Sequence, residues 1–153
     1  MMTWRWIGAF VLIILGACGN MGGDRGPVLI DSGTAGRLHG VEWQLKTITV
    51  EGTRVIMHTD GDMSLVFAAD GQAGGYAAVN NFSGRYSFDD KGRLTWSPAL
   101  AATRKAGPPE LMEKERAYLS GIPKTTRAIL SGNALQLQSE DGNTVLTFVR
   151  AGS

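Results

Sequence analysis

The sequence predicts an α+β fold: a curved, barrel-like, mostly antiparallel β-sheet with one packed amphipathic helix. Two observations carry this. From Leu38 onward the chain runs in short alternating apolar and polar stretches punctuated by Gly-containing turns. A single segment, Pro108 to Pro123, breaks that rhythm with helical spacing. The whole chain has 153 residues, enough for one ordinary domain and little beyond it.

The chain opens on an uncharged run, Ile7 to Leu15, preceded by Arg5. At nine residues it is well short of the roughly 20 that a membrane-spanning helix needs. It fits a secretory signal peptide over residues 1–17. Leu15-Gly16-Ala17-Cys18 resembles a bacterial lipobox, and that resemblance implies cleavage before Cys18 and lipid attachment to it. Cys18 is the only cysteine of the chain, so a lipidated product has no thiol left for a disulfide. A lipid-anchored protein of the bacterial envelope follows as the expectation. Gly19 after the lipidated residue favours the outer membrane, with the domain facing the periplasm.

Residues 18–36 then read as the lipidated Cys and a flexible tether. Six of the residues from Gly19 to Gly36 are Gly, which is linker composition. Val28-Leu29-Ile30 is the one apolar break, and it suits a short edge strand.

The folded domain is expected over residues 37–150. Val41 to Leu45 alternates, so one face is buried. Met63, Leu65 and Phe67 share a face, as do Phe82, Tyr86 and Phe88, with Ser83, Arg85 and Ser87 opposite. Leu94 and Trp96 follow a Lys91-Gly92 turn. Asp70-Gly71, Gly132-Asn133 and Asp141-Gly142 mark hairpins. Seven to nine strands result. In the helical segment, Pro108-Pro109 suits a first turn and Glu110 complements the macrodipole. Leu111, Met112, Tyr118, Leu119 and Ile122 recur at helical spacing. Gly121 can end the helix, and Pro123 forbids its continuation.

Composition excludes several functions. The formal net charge is +1, without the basic surplus a nucleic-acid binder needs. One Cys and two His are poor material for a metal centre. No Gly-x-Ser-x-Gly elbow, His-Glu-x-x-His or Gly-x-x-x-x-Gly-Lys phosphate loop occurs. The expectation is therefore no enzyme, no cofactor, no metal and no nucleic acid.

The segment Gly74 to Tyr86, with Asn80, Gly84 and Tyr86, resembles the central motif of the META domain family of HslJ-like bacterial lipoproteins. Leu38-x-Gly40-x-x-Trp43-x-Leu45 resembles the family's opening strand. Thr103 to Gly107 stands where the family places Thr-x-x-Ala-Cys. Glu115, followed by Tyr118-Leu119, matches its helical motif. Leu135-x-Leu137 and Leu146-x-Phe148 match its closing strands. The resemblance implies one compact sheet-and-helix domain linked to envelope or stress responses, with no catalytic chemistry. The family often carries a Cys in each of two central motifs. Val79 and Gly107 stand at those positions here, so any bridge the resemblance implies is absent.

The motif positions Trp43, Asn80, Gly84, Tyr86, Thr103 and Glu115 are expected to be structural. Trp43 and Trp96 read as core aromatics. Asn80-Asn81 reads as a pair accepting left-handed geometry and bonding the local backbone. Gly84 reads as a bulge or a close backbone approach. Thr103-Arg104-Lys105, beside a helix start, reads as a solvated connector, with an anion site as the alternative. Glu115 lies on the apolar stripe and needs a partner; Arg85 and Arg104 are the candidates. The expected function is a non-catalytic envelope lipoprotein acting through an unidentified envelope protein. The alternatives are a binder of small apolar ligands or lipid, and an exported inhibitor using the connector from Pro98 to Pro109 against a periplasmic hydrolase.

Overall fold

A computed structural model describes residues 26–51, 53–56 and 63–152. The signal peptide and Cys18 lie outside the described residues. Ten strands and one α-helix follow in order: β1 (Val28–Leu29), β2 (Glu42–Val50), β3 (Thr53–Ile56), β4 (Ser64–Phe67), β5 (Gln72–Ala77), β6 (Asn80–Phe88), β7 (Leu94–Ala102), α1 (Pro109–Gly121), β8 (Arg127–Ser131), β9 (Ala134–Gln138) and β10 (Val145–Arg150). The count exceeds the expected seven to nine because of short pieces such as the two-residue β1.

All named strands join one antiparallel sheet in the order β1-β8-β9-β10-β2-β4-β5-β6-β7, with β3 also paired to β2. The barrel expectation needs correction, because no ladder closes the sheet. Instead its two ends meet at one corner. Leu94 N–H donates to Thr126 O (2.8 Å), and Ser32 N–H donates to Asp89 O (2.9 Å).

The alternation read from sequence places its apolar members inward. Met63, Leu65 and Phe67 are buried, as are Phe82 and Tyr86, while Ser83, Arg85 and Ser87 are exposed. Asp70-Gly71 and Asp141-Gly142 turn the chain with Gly at positive φ (79° and 73°), where any larger residue is strained.

Part of the expected tether belongs to the domain. β1 pairs with β8, and Ile30 is fully buried. The Asp31 carboxylate accepts from the Thr34 N–H (2.9 Å) and hydroxyl (2.7 Å), closing a turn before the 3-10 segment Ala35–Leu38.

The core fills the concave side. Trp43, Phe67, Tyr118 and Phe148 are all fully buried, and each large ring removes a large apolar area from water. Phe67 meets Tyr86 edge-on at 4.8 Å, and Phe82 meets Tyr118 likewise at 5.6 Å. Trp96 departs from expectation. It is only half-buried, and its indole N–H donates to the Thr125 hydroxyl (3.0 Å).

Helix α1 begins with Pro109 after Pro108, and Glu110 sits in its first turn. Glu115, Tyr118, Gly121 and Ile122 are buried, while Leu111, Met112 and Leu119 are half-buried. Gly121 does not end the helix in a left-handed conformation. It has φ −76°, and the chain continues into a 3-10 turn, Ile122–Lys124. Space explains the glycine: a Cβ there would stand 3.2 Å from Ile48 Cδ1 and 3.5 Å from Leu146 Cδ1.

Candidate functional site

Residues 103–108 link the end of β7 to α1 and run beside the start of β6. Asn80 opens β6 on the same alternating face as Phe82 and Tyr86, so its side chain is directed inward. It is 1% exposed and Glu115 is 7% exposed. Two polar side chains at core positions must pair with something, and here they pair with each other.

Asn80 N–H donates to Glu115 Oε2 (2.9 Å), and Asn80 Nδ2 donates to Glu115 Oε1 (2.9 Å). The second Nδ2 hydrogen goes to Lys105 O (3.1 Å). Asn80 Oδ1 accepts from Lys105 N–H (2.7 Å) and from the Thr103 hydroxyl (2.7 Å). The Asn80 amide thus bonds Lys105 as a neighbouring strand would, through one donor and one acceptor. Thr103 Oγ1 in turn accepts from Asn81 N–H (3.2 Å). Both donors of the amide and both lone pairs of its oxygen are used.

The arrangement corrects three expectations. Glu115 is held by Asn80 rather than by Arg85 or Arg104. Both arginines are exposed, and Arg85 reaches the Asp70 carbonyl instead (3.4 Å). The left-handed residue of the β5–β6 turn is Ala78 (φ 63°), not either Asn. The Tyr76 phenol donates to the Ala78 carbonyl (2.7 Å), which helps hold that turn. Thr103 spends its hydroxyl on Asn80, so it is not free to hold an anion at the start of α1.

The remaining motif positions are structural in the ways their side chains suggest. Gly84 sits where the β6–β7 register shifts between Ser83 and Arg85. A Cβ there would come 2.5 Å from Leu100 Cδ2. The Tyr86 phenol donates to Ala68 O (2.7 Å). Burial and the nearby Asp70 carboxylate raise the pKa of that phenol. Trp43 is fully buried, with the Arg150 guanidinium 5.5 Å from its ring centroid. Its indole N–H has no hydrogen-bond partner, a cost the sequence does not announce.

Sequence reasoning missed Asn80 as the hub, although a signal was present. An Asn in phase with Phe82 and Tyr86, and a Glu in phase with Leu111 and Tyr118, are two polar residues at core positions.

Chemically, the cluster offers no nucleophile beside a base and no second carboxylate. Among the described residues no group of three or more His, Cys, Asp or Glu could hold a metal ion. The cluster can fix the connector and helix to the sheet, and it leaves Arg104, Lys105 and Ala106 exposed on top.

Solved structures share this architecture. An NMR structure of a protein from Burkholderia xenovorans superposes with a TM-score of 0.64 at 22% identity, over 88% of this chain and 98% of that one. A crystal structure of a DUF4847-family protein from Bacteroides vulgatus gives 0.56 at 12% identity, over 75% and 95%. At these identities the likeness shows the fold. A search of curated proteins gives no match. The META domain family model matches residues 36–152. That span takes in the sheet from β2 to β10, the helix and the Asn80–Glu115 cluster, so the chain belongs to the META domain family.

Proposed function

We propose that this META-domain protein is a non-catalytic lipoprotein of the bacterial cell envelope. It is anchored through Cys18, with the domain facing the periplasm, and acts by protein contacts in an envelope or stress response. The observation that carries the reading is a pairing of two features. The chain bears a lipobox-like Leu15-Gly16-Ala17-Cys18 after a short apolar run. Its most buried polar cluster spends its donors and acceptors internally. A polar site with no vacant valence supports a binding or scaffolding role better than a catalytic one. The core filled by Trp43, Phe67, Tyr118 and Phe148 also weighs against an apolar ligand inside the sheet.

The test is metabolic labelling with radioactive palmitate, followed by crosslinking in intact cells and mass spectrometry. Label on the wild type, none on Cys18→Ser, and a reproducible envelope protein among the crosslinks are expected. Label retained by Cys18→Ser would refute the anchor.

One feature favours a second reading, an exported inhibitor of a periplasmic hydrolase. Residues 103–106 are exposed, yet Lys105 is pinned at both its N–H and its C=O by Asn80. An exposed, preorganised loop suits insertion into a cleft because little ordering remains to be lost on binding.

A further inference from the structure

The domain has two ends that the tether would treat differently. Its root, Gly26, lies three residues before Leu29 and therefore within about 10 Å of it. Leu29 is 48% exposed, an unusual state for a large aliphatic side chain at a sheet edge. It packs over the β6–β7 turn: a Cβ added at Gly92 would come 2.9 Å from Leu29 Cδ2. A shallow hollow there is lined by Leu29, Lys91, Gly92, Arg93, Arg127 and Glu140.

The charges of that surface sort themselves. Asp89 uses its carboxylate on the Lys91 and Arg93 N–H groups (2.9 and 2.8 Å). Arg93 pairs with Glu140 at 3.6 Å. Arg127 reaches only a neutral acceptor, the Glu140 carbonyl (3.4 Å). Lys91 is exposed and has no ion pair among the described residues. Asp90 is the one exposed acid of the turn without such a duty. Leu29 is thus flanked by two cations available to an anionic surface, Lys91 and Arg127.

The opposite end is remote. Strand β7 runs from Leu94 beside this turn to Ala102 beside the Asn80 cluster, a path of roughly 27 Å at strand rise. From Cys18 to Gly26 the chain can span at most about 30 Å, and a Gly-rich chain of that length averages roughly half of it.

We infer that the surface formed by Leu29, Lys91 and Arg127 is a membrane-contact face resting on anionic lipid headgroups. The tether holds this face down, and the connector 103–106 points away from the bilayer. This rests on the lipid-anchor reading above.

The test uses the lipidated full chain in vesicles of phosphatidylethanolamine and phosphatidylglycerol. The Cys18 thiol is consumed by lipid, so a Cys introduced by Asp90→Cys or Ala106→Cys takes a single nitroxide label. Collision with a water-soluble nickel complex and with oxygen reports depth. The label at 90 should be shielded from nickel and the label at 106 fully accessible. Lys91→Glu in the Asp90→Cys background should weaken the shielding about fivefold, the worth of one cation at an anionic surface. Leu29→Gln should weaken it as well. Protein that floats with the vesicles but shows equal accessibility at both labels would overturn the orientation alone. Shielding untouched by both Lys91→Glu and Leu29→Gln would overturn the assignment to these side chains. A wild type that carries no lipid and does not float would overturn the anchor reading, and this inference with it.

Discussion

Val79 and Gly107 allow a direct test of how the β5–β6 turn meets the connector before α1. A Cβ built on Gly107 stands 3.5 Å from Val79 Cβ, and 2.6 and 3.0 Å from the two Val79 methyl carbons. The first distance falls at the short end of the range for Cβ atoms joined by a disulfide. The other two explain why glycine is needed opposite valine. Replacing both residues by Cys removes the methyls and puts sulfurs in bonding range. The bridge would close a loop of about 29 residues, worth roughly 3.6 kcal/mol in the chain-entropy treatment. Val79 is only half-buried, so its loss costs less than the roughly 0.5–1.5 kcal/mol of a trimmed core methyl. A net gain of about 2–3 kcal/mol remains. With a urea slope of about 1–3 kcal/mol per molar, the oxidised midpoint should rise by about 1–2 M. The assay compares oxidised and reduced Val79→Cys/Gly107→Cys in a Cys18→Ser chain beginning at residue 18. Gly107→Ala serves as control and should destabilise by about 1–3 kcal/mol through overpacking against Val79. Two free thiols after oxidation, or an oxidised midpoint no higher than the reduced one, would refute the contact. The same chain without the two new cysteines should unfold at one midpoint with or without reductant.

Three further outcomes follow from the same geometry. Glu115→Ala strips acceptors from Asn80 N–H and Nδ2 and should cost about 2–4 kcal/mol by urea titration. Exposed Glu113→Ala should stay within about 0.5 kcal/mol of wild type, and Glu115→Gln, which keeps one acceptor, should fall between. Gly75→Ala would drive a Cβ to 2.0 Å from the Ser64 carbonyl oxygen, a backbone atom of the paired strand, and should cost about 3 kcal/mol or more; Gly84→Ala meets only the tip of Leu100 and should cost less, as thermal melts would read. Burial lifts the Tyr118 phenol well above its ordinary value of 10.0, so the unfolded chain releases that proton first. The contribution is full below about pH 10 and declines by about 1.4 kcal/mol per pH unit above it, until the folded phenol ionises. Tyr118→Phe should flatten that alkaline slope relative to wild type in pH-dependent urea midpoints, at a cost of about 1 kcal/mol for the lost bond to Ser64 O. Tyr86, also raised, keeps part of the slope in both proteins.

What was legible in the sequence was whatever a local pattern encodes. Period-two alternation placed Met63, Leu65, Phe67, Phe82 and Tyr86 inward. Asp-Gly pairs placed two of the turns, and Pro108-Pro109 placed the helix start. The errors lie where geometry between distant segments decides. Gly121 looks like a helix cap because caps favour glycine, but Ile48 and Leu146, far away in sequence, exclude a side chain there. Closure of the sheet could not be read, because it turns on whether β7 and β8 align along their length or only at Leu94 and Thr126. The strain at Ala78 was assigned to Asn80-Asn81 because Asn tolerates positive φ better.

The misreading of Asn80 bears most directly on function. Placed in a turn, it would be a free amide available to a ligand. Placed on the core face of β6, it is a coupling device. One side chain and one N–H tie β6 to α1 through Glu115, and to the connector through Lys105 and Thr103. Removing either Asn80 or Glu115 leaves the other's polar atoms buried without partners, which accounts for finding them together. The cluster's effect on a partner is therefore indirect. It holds residues 103–106 in one conformation while contributing no exposed atom of its own carboxylate or amide to catalysis. Binding through the connector should then depend on Arg104 and Lys105 for contact and on Asn80 for preorganisation. An Asn80→Ala chain that still folds would bind any connector partner more weakly because its loop must be ordered on binding, whereas an Arg104→Ala chain would lose the contact and keep the ordered loop.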